Sequence, residues 1–348
     1  MNAICDVGRR SLLWIPRVLF LACVGIAIGG AAERNERWGA APIFFSYYAS
    51  WNARADTSSA SDEVLSGLPP EIGIVALAFA RPDMTFLGES LSGSGLEMPY
   101  KTTVLITSVQ ELRRRNPHVK ILVSIGGESY TAWQRLDAKA IAGFVKTLGL
   151  DGIDIDFEPL SPNCHAVGAR IACDTDPLLT RVVASLRAAL PRPLVLSLSV
   201  VNVGAYGEKA WRNSKPVGSD SYGLDLAVLR DPSFAAQIDL ISIMAYDAGP
   251  SYRPDEALAA IRSYFEGPIL VGFTPPPEAW GGHRYSTREV DTVLRNALNH
   301  GGAGAMLFSI GKPAPQNPSL ESPDAARLLD TISSVICTPR SNGAPTQK

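Results

Sequence analysis

The sequence has few histidines, no excess of basic residues and no long apolar run. Its 348 residues include four His, and 32 Lys and Arg stand against 34 Asp and Glu, for a formal net charge of -2. The histidines show no spacing typical of a metal site. Without a basic excess, the chain offers no electrostatic reason to bind nucleic acid. Nothing in the composition, 46% hydrophobic and 19% charged, indicates disorder, collagen or a coiled coil.

The N-terminus is typical of an export signal. Arg9, Arg10 and Arg17 precede the apolar residues 18–32, which end in small side chains. This run is shorter than the roughly 20 residues that span a bilayer. We therefore expect residues 1–32 to be a signal peptide and the protein to be periplasmic or secreted, with no stable membrane insertion after cleavage. The alternative is a membrane anchor formed by the uncleaved segment.

Residues 150–158 alternate acidic and large apolar side chains. Since successive side chains of a strand point to opposite faces, Asp154, Asp156 and Glu158 are predicted to share one face. Three acids on one buried face are costly, which indicates a catalytic site. A neighbouring carboxylate and partial desolvation would raise the pKa of Glu158, so that it could act as a general acid. A calcium loop starting at Asp154 is disfavoured because Pro159 occupies the position that requires Gly.

Eight short apolar runs recur along the chain, and most are followed by a helical pattern. Such runs are typical of strands covered on both faces, as in parallel sheets. The alternation predicts a single (β/α)₈ barrel over residues 43–337, with a disordered tail at 338–348. The predicted strands are 43–50, 72–80, 120–125, 152–158, 194–201, 239–246, 269–274 and 304–310.

Cys164 and Cys173 flank a short segment directly after the acid-rich strand. In an oxidising compartment they are expected to form a local disulfide that stiffens a loop at the rim of the site. Two free buried thiols are the alternative.

Four motifs resemble glycoside hydrolase family 18, the chitinases and endo-β-N-acetylglucosaminidases. Residues 151–158 match its DGxDxDxE signature, and residues 124–127 resemble its SxGG motif on the third strand. Residues 244–247 resemble its MxYD motif on the sixth strand, and residues 47–51 its aromatic segment on the first. The resemblance implies a (β/α)₈ barrel, a substrate containing N-acetylglucosamine, and no metal or organic cofactor.

The resemblance also implies roles for four catalytic residues. Glu158 would protonate the glycosidic oxygen, and Asp156 would hold the substrate's 2-acetamido group while its carbonyl oxygen attacks C1. Tyr246 would donate a hydrogen bond to that carbonyl. Asp154 would share protons or charge with Asp156.

Further residues are predicted to bind substrate. The glycines of the SxGG motif suit either ligand contact or a structural tight turn. The family usually has Trp at the end of the eighth strand, where this chain has Phe, a smaller stacking face without an indole N–H. Several other aromatic residues, including Trp51, suit either sugar stacking or packing. The predicted substrate-binding residues are Tyr47, Gly126, Gly127, Met244, Asp247 and Phe308.

The favoured hypothesis is a monomeric hydrolase that cleaves β-1,4 bonds next to N-acetylglucosamine in chitin or chito-oligosaccharides. The first alternative is an endo-β-N-acetylglucosaminidase acting on glycoprotein or cell-wall glycans. The second is a non-catalytic glycan-binding protein on the same barrel. Retention of both Asp156 and Glu158 favours an enzyme. No inserted α+β subdomain is expected between the last two strands, which predicts a short, open cleft.

Overall fold

The structure, a computed structural model, covers most of the chain. The predicted signal, residues 1–32, lies outside the described residues, as does the predicted tail from residue 339 onward. The described residues are 38–39, 41–56, 58–86, 88, 90–216, 218–279 and 284–338.

Eight parallel strands close into a barrel. The order around it is β1-β10-β9-β8-β7-β4-β3-β2. Each of the eight predicted apolar runs overlaps one barrel strand, so the predicted (β/α)₈ barrel is confirmed. The strands are β1 Ile43–Ala49, β2 Ile74–Ala80, β3 Lys120–Gly126, β4 Gly152–Asp156, β5 His165–Val167, β6 Arg170–Ala172, β7 Val195–Val200, β8 Leu240–Ile243, β9 Ile269–Phe273 and β10 Gly304–Ile310.

Among the strands of the described residues, only β5 and β6 are not part of the barrel sheet. They form an antiparallel hairpin after β4, and the predicted disulfide between Cys164 and Cys173 closes its base. The apolar pattern did not predict this hairpin, because most of its residues are exposed and its strands are three residues long. No large inserted subdomain is present in the described part of the chain.

Helices surround the barrel, and several of them begin at a residue whose side chain caps the first turn. Ser286 and Glu289 form a capping box. The helix that starts at Ala138 is capped by Asp137, whose carboxylate accepts a hydrogen bond from the Ala140 N–H. The helices are α1 Glu63–Ser66, α2 Thr102–Arg115, α3 Ala138–Leu148, α4 Asp176–Ala189, α5 Leu226–Leu229, α6 Pro232–Ala235, α7 Pro254–Arg262, α8 Thr287–Asn299 and α9 Ala325–Cys337. Among the described residues, no helix combines the length and apolarity that crossing a bilayer requires.

The acid-rich strand β4 has the predicted two faces. Ile153 and Ile155 are fully buried in the core, and Asp154 and Asp156 alternate with them. The prediction that the strand continues to Glu158 is wrong by two residues. Strand β4 ends at Asp156, whose partner on β3 is the last residue of that strand. Glu158 therefore lies in the loop at the mouth of the barrel.

Candidate active site

Asp154 lies at the bottom of the candidate site in a closed hydrogen-bond network. Its carboxylate accepts hydrogen bonds from the hydroxyls of Tyr47 (2.8 Å), Ser124 (2.7 Å) and Ser197. Ser124 and Ser197 are its registered neighbours on the two flanking strands, so strand pairing sets these contacts. Burial raises the pKa of Asp154, and the three hydroxyl donors counter part of that rise. Asp154 is therefore positioned beneath the site rather than exposed to a ligand.

Asp156 lies one pleat closer to the mouth and faces a cavity. Only 3% of the residue is exposed, and its Oδ1 atom has no hydrogen-bond partner in the described part of the chain. Burial, followed by the negative charges of Glu158, Asp154 and Asp225, raises its pKa well above the usual value. A buried acceptor without a partner is costly unless a ligand supplies the donor.

Glu158 lies at the rim of the same cavity and is partly buried. Burial raises its pKa to about 7, and the negative charges of Glu128 and Asp247 add to the rise. A backbone hydrogen bond from Glu128 acts in the opposite direction. The carboxyl group can therefore hold a proton near neutral pH and release it, as a general acid must.

Aromatic rings form the floor of the cavity. The Phe308 ring stacks on Tyr246 (centroids 6.0 Å apart, planes at 16°) and on Phe79 (6.0 Å, 24°). Phe79 also stacks on Trp51, at 5.8 Å. Burial and the negative charge of Asp156 raise the pKa of Tyr246 well above its usual value, so its hydroxyl keeps its proton and can donate. We refer to Trp51, Phe79, Tyr246 and Phe308 as the aromatic floor.

The cavity measures about 570 Å³, and its lining includes six of the ten predicted site residues. Tyr47 and Asp154 lie below it, and the structure does not bring Gly126 or Gly127 to its surface. The predicted residues that line it are Asp156, Glu158, Met244, Tyr246, Asp247 and Phe308.

The two motif glycines pack against other parts of the site instead. Gly126 has a φ of +106°, and a side chain there would overlap the backbone oxygen of Asp156 and the buried Trp133 ring. A side chain at Gly127 would come within 2.8 Å of the Phe79 ring. These contacts match the structural alternative for this motif. Without a side chain, Gly126 lets the Asp156 backbone and the Trp133 ring come close, and Gly127 does the same for the Phe79 ring.

The turn after β8 places Asp247 at the cavity wall. Asp247 adopts a left-handed conformation with a φ of +55°, and its backbone N–H donates to the carboxylate of Glu278. Burial raises the pKa of Glu278 to about 7. Glu278 therefore stabilises the turn that directs Asp247 toward the cleft.

Sequence reasoning missed several lining residues. Phe79 is one residue from the end of β2, and Glu128 directly follows the SxGG motif. Both lie at the C-terminal end of a strand, where barrel enzymes carry their site residues, so the sequence could have indicated both. Asn202 lies two residues after β7, so the same positional signal was available there. Glu97 lies far along the loop after β2 and carries no such signal. Trp51, one of the aromatic candidates, does line the cavity. Among the described residues, no group of three or more His, Cys, Asp or Glu side chains could hold a metal ion.

Comparisons with known proteins identify the family of the chain. The profile of Glycosyl hydrolases family 18 matches residues 43–263, more than half of the chain. A chitinase of Plasmodium falciparum is 31% identical over 131 residues, covering 34% of this chain and 32% of the relative. Exochitinase 1 of Streptomyces olivaceoviridis is 21% identical over 297 residues, covering 77% of this chain and 45% of the relative. The chain thus spans less than half the length of these two curated relatives.

Solved structures share the fold. A GH18 chitinase from Pseudoalteromonas aurantia superposes with a TM-score of 0.59 at 17% identity, covering 84% of this chain and 99% of the other. YKL-39, solved in the presence of chitooligosaccharides, superposes with a TM-score of 0.57 at 12% identity, covering 85% and 100%. Together with the profile match and the arrangement of Asp154, Asp156 and Glu158 along β4 and the loop after it, these findings show that the chain belongs to glycoside hydrolase family 18.

Proposed function

We propose that the protein hydrolyses β-1,4 bonds next to N-acetylglucosamine, in chitin or chito-oligosaccharides, by substrate-assisted catalysis. The observation that carries the proposal is the unpartnered, buried Oδ1 of Asp156, in a cavity that Glu158 and Tyr246 also line. An acetamido group placed there offers both an N–H for Asp156 and a carbonyl oxygen for the Tyr246 hydroxyl. The two chitinases among the relatives support this substrate class.

In the proposed reaction, Glu158 gives its proton to the glycosidic oxygen as the bond to C1 breaks. The acetamido carbonyl oxygen attacks C1 and forms a positively charged ring, which the Asp156 carboxylate stabilises. Water then opens this ring, and Glu158 takes a proton from that water. Two inversions at C1 leave its configuration unchanged.

The hydrogen-bond network of Asp154 supports a role as proton and charge partner of Asp156. Asp154 is anchored by three hydroxyl donors, whereas Asp156 has a free oxygen, so Asp156 is the one that can turn toward substrate. Phe308 would stack beneath the sugar at C1, where a ring face supports an apolar sugar face. We also propose export through residues 1–32, and the Cys164–Cys173 disulfide is consistent with an oxidising compartment.

The function is tested by incubating the protein with the N-acetylglucosamine tetramer and following early products by proton NMR. We expect shorter oligomers whose new reducing ends are initially β-anomers. Release of glycan from an N-glycosylated peptide, with the tetramer untouched, would favour the endo-β-N-acetylglucosaminidase alternative. Binding of the tetramer without hydrolysis would favour the glycan-binding alternative.

The pH profile of kcat/KM should show an alkaline limb set by Glu158. Since its pKa is raised to about 7, the carboxyl group is protonated below that pH and loses its catalytic proton above it. Activity should therefore fall by about tenfold per pH unit above the limb. Replacing Glu128 by Gln removes one of the charges that raise this pKa, so the limb should move to lower pH.

Glu266→Gln is the matched control for this shift. Glu266 is exposed just before β9, at the end of the barrel opposite the cleft, and loses the same charge. Its pH profile should coincide with that of the unmodified protein. An equal shift in both variants, or none in Glu128→Gln, would show that the Glu128 charge does not act on the catalytic acid.

A further inference from the structure

Three successive loops place a carboxylate each at the cavity. Glu97 follows β2, Glu128 follows β3 and Glu158 follows β4, and these three strands are neighbours in the barrel. Glu128 and Glu158 each follow their strand by two residues, and the charge of Glu128 acts on Glu158, so these two lie close together. The backbone N–H of Glu97 donates to Ser50 Oγ, beside Trp51, which places Glu97 at the same cavity. We refer to Glu97, Glu128 and Glu158 as the acidic wall.

The described lining of the cleft contains no positive charge to balance this wall. Asp156 adds a further carboxyl group, and the described lining includes no Lys, Arg or His. The charge of Lys312 acts on Asp247, so Asp247 is not counted toward the wall. Neither Glu97 nor Glu128 takes part in a salt bridge in the part of the chain that the structure describes. The negative potential of the cleft therefore remains available to attract a cationic ligand.

The carboxylates are too dispersed to bind a single small ion. Within the described residues, no cluster has the geometry of a metal site. Separate carboxylates along a cleft instead match a ligand whose positive charges are themselves spaced. The buried, unpartnered Oδ1 of Asp156 independently marks this cavity as a place where a ligand supplies hydrogen-bond donors.

We infer that the cleft prefers a partly deacetylated oligosaccharide, in which glucosamine units flank the N-acetylated unit that is cleaved. This inference rests on the proposed function. The cleaved unit must keep its acetamido group, because the carbonyl oxygen of that group is the nucleophile. Flanking units face no such requirement, and glucosamine carries an ammonium group at the same ring position.

Glu97 and Glu128 are the specificity-determining residues in this arrangement. A flanking sugar stacks on the exposed end of the aromatic floor, where Trp51 packs on Phe79. Its ammonium group then lies toward the carboxylates of the acidic wall. An exposed ion pair contributes about 0.2–1 kcal/mol, so each glutamate adds a preference of roughly two- to fivefold.

The test measures binding rather than turnover, so it is independent of whether the protein hydrolyses glycans. All proteins carry Glu158→Gln, which keeps the probes intact during isothermal titration calorimetry. The probes are a tetramer in which glucosamine units flank one N-acetylglucosamine unit, and the N-acetylglucosamine tetramer, at mildly acidic pH and low salt. Glu97→Gln, Glu128→Gln and the double variant are compared with Glu266→Gln, and thermal denaturation checks that each is folded.

We expect the partly deacetylated tetramer to bind more tightly than the neutral tetramer. Each wall substitution should weaken it roughly two- to fivefold, with little effect on the neutral tetramer or in Glu266→Gln. High salt should reduce the preference, because exposed charges are screened. Failure of the partly deacetylated tetramer to bind more tightly than the neutral tetramer, or equal affinities in the double variant and the control, would overturn the inference. Absence of hydrolysis by the unmodified protein would instead count against the proposed function.

Discussion

Glu158→Gln is expected to lower kcat on the N-acetylglucosamine tetramer by about 10²–10⁴-fold. Gln retains the size and hydrogen-bonding capacity of the side chain, but it has no acidic proton to give to the leaving oxygen. Oligosaccharide affinity should change little, because the aromatic floor and Asp156 remain in place. The measurement is steady-state turnover by product chromatography, together with calorimetric binding of the same tetramer.

Two comparisons separate this effect from a general loss of structure. Glu266→Gln makes the same chemical change far from the cleft and should keep full turnover. Thermal denaturation of both variants should show folded proteins, since Glu158 lies in a loop and is only partly buried. If Glu158→Gln were to turn over substrate as fast as the unmodified protein, Glu158 could not be the proton donor.

Asp156→Asn is the second substitution with a large expected effect, a loss of about 10²–10³-fold in kcat. Asn preserves the shape of the side chain but removes the negative charge that stabilises the cationic ring formed by the acetamido group. KM should also rise, because the contact between this side chain and the acetamido N–H already forms in the bound substrate. Steady-state kinetics on the tetramer measures both parameters.

Asp330→Asn is the corresponding control, since Asp330 is exposed on α9. It should match the unmodified protein in kcat and KM. Asp156→Asn is not expected to unfold the protein, because the buried carboxyl group it replaces is costly to ionise. An unchanged kcat in Asp156→Asn would contradict substrate assistance, because no other described acceptor in the cavity is both buried and without a partner near Glu158.

Much of the fold was predictable because its signals are local. Near-continuous apolar runs identified all eight barrel strands, since strands covered on both faces need apolar side chains throughout. The hairpin formed by β5 and β6 was missed because most of its residues are exposed, so its sequence contains no apolar run. Its base was nevertheless marked by Cys164 and Cys173, which form the predicted disulfide.

The candidate site was predictable where residues follow one strand, and less so where they come from several. Period-two alternation is enough to predict that Asp154 and Asp156 share one face of β4, whereas Glu158 lies in the loop after that strand. The same reasoning could not reveal that Asp154 is enclosed by Tyr47 and two serines from neighbouring strands. Motif glycines were also ambiguous, and only their packing distinguishes structure from ligand contact.

The amino-acid sequence by itself determined the barrel, the acid-rich segment and the family, because each follows from local residue patterns along the chain. Tertiary structure alone decided which of those acids meets the cavity, since that depends on the pairing of β3, β4 and β7. It also decided the acidic wall and the aromatic floor, whose members lie far apart in the chain. Barrel closure brings them together, and the resulting burial and charge raise the pKa of Glu158 to about 7.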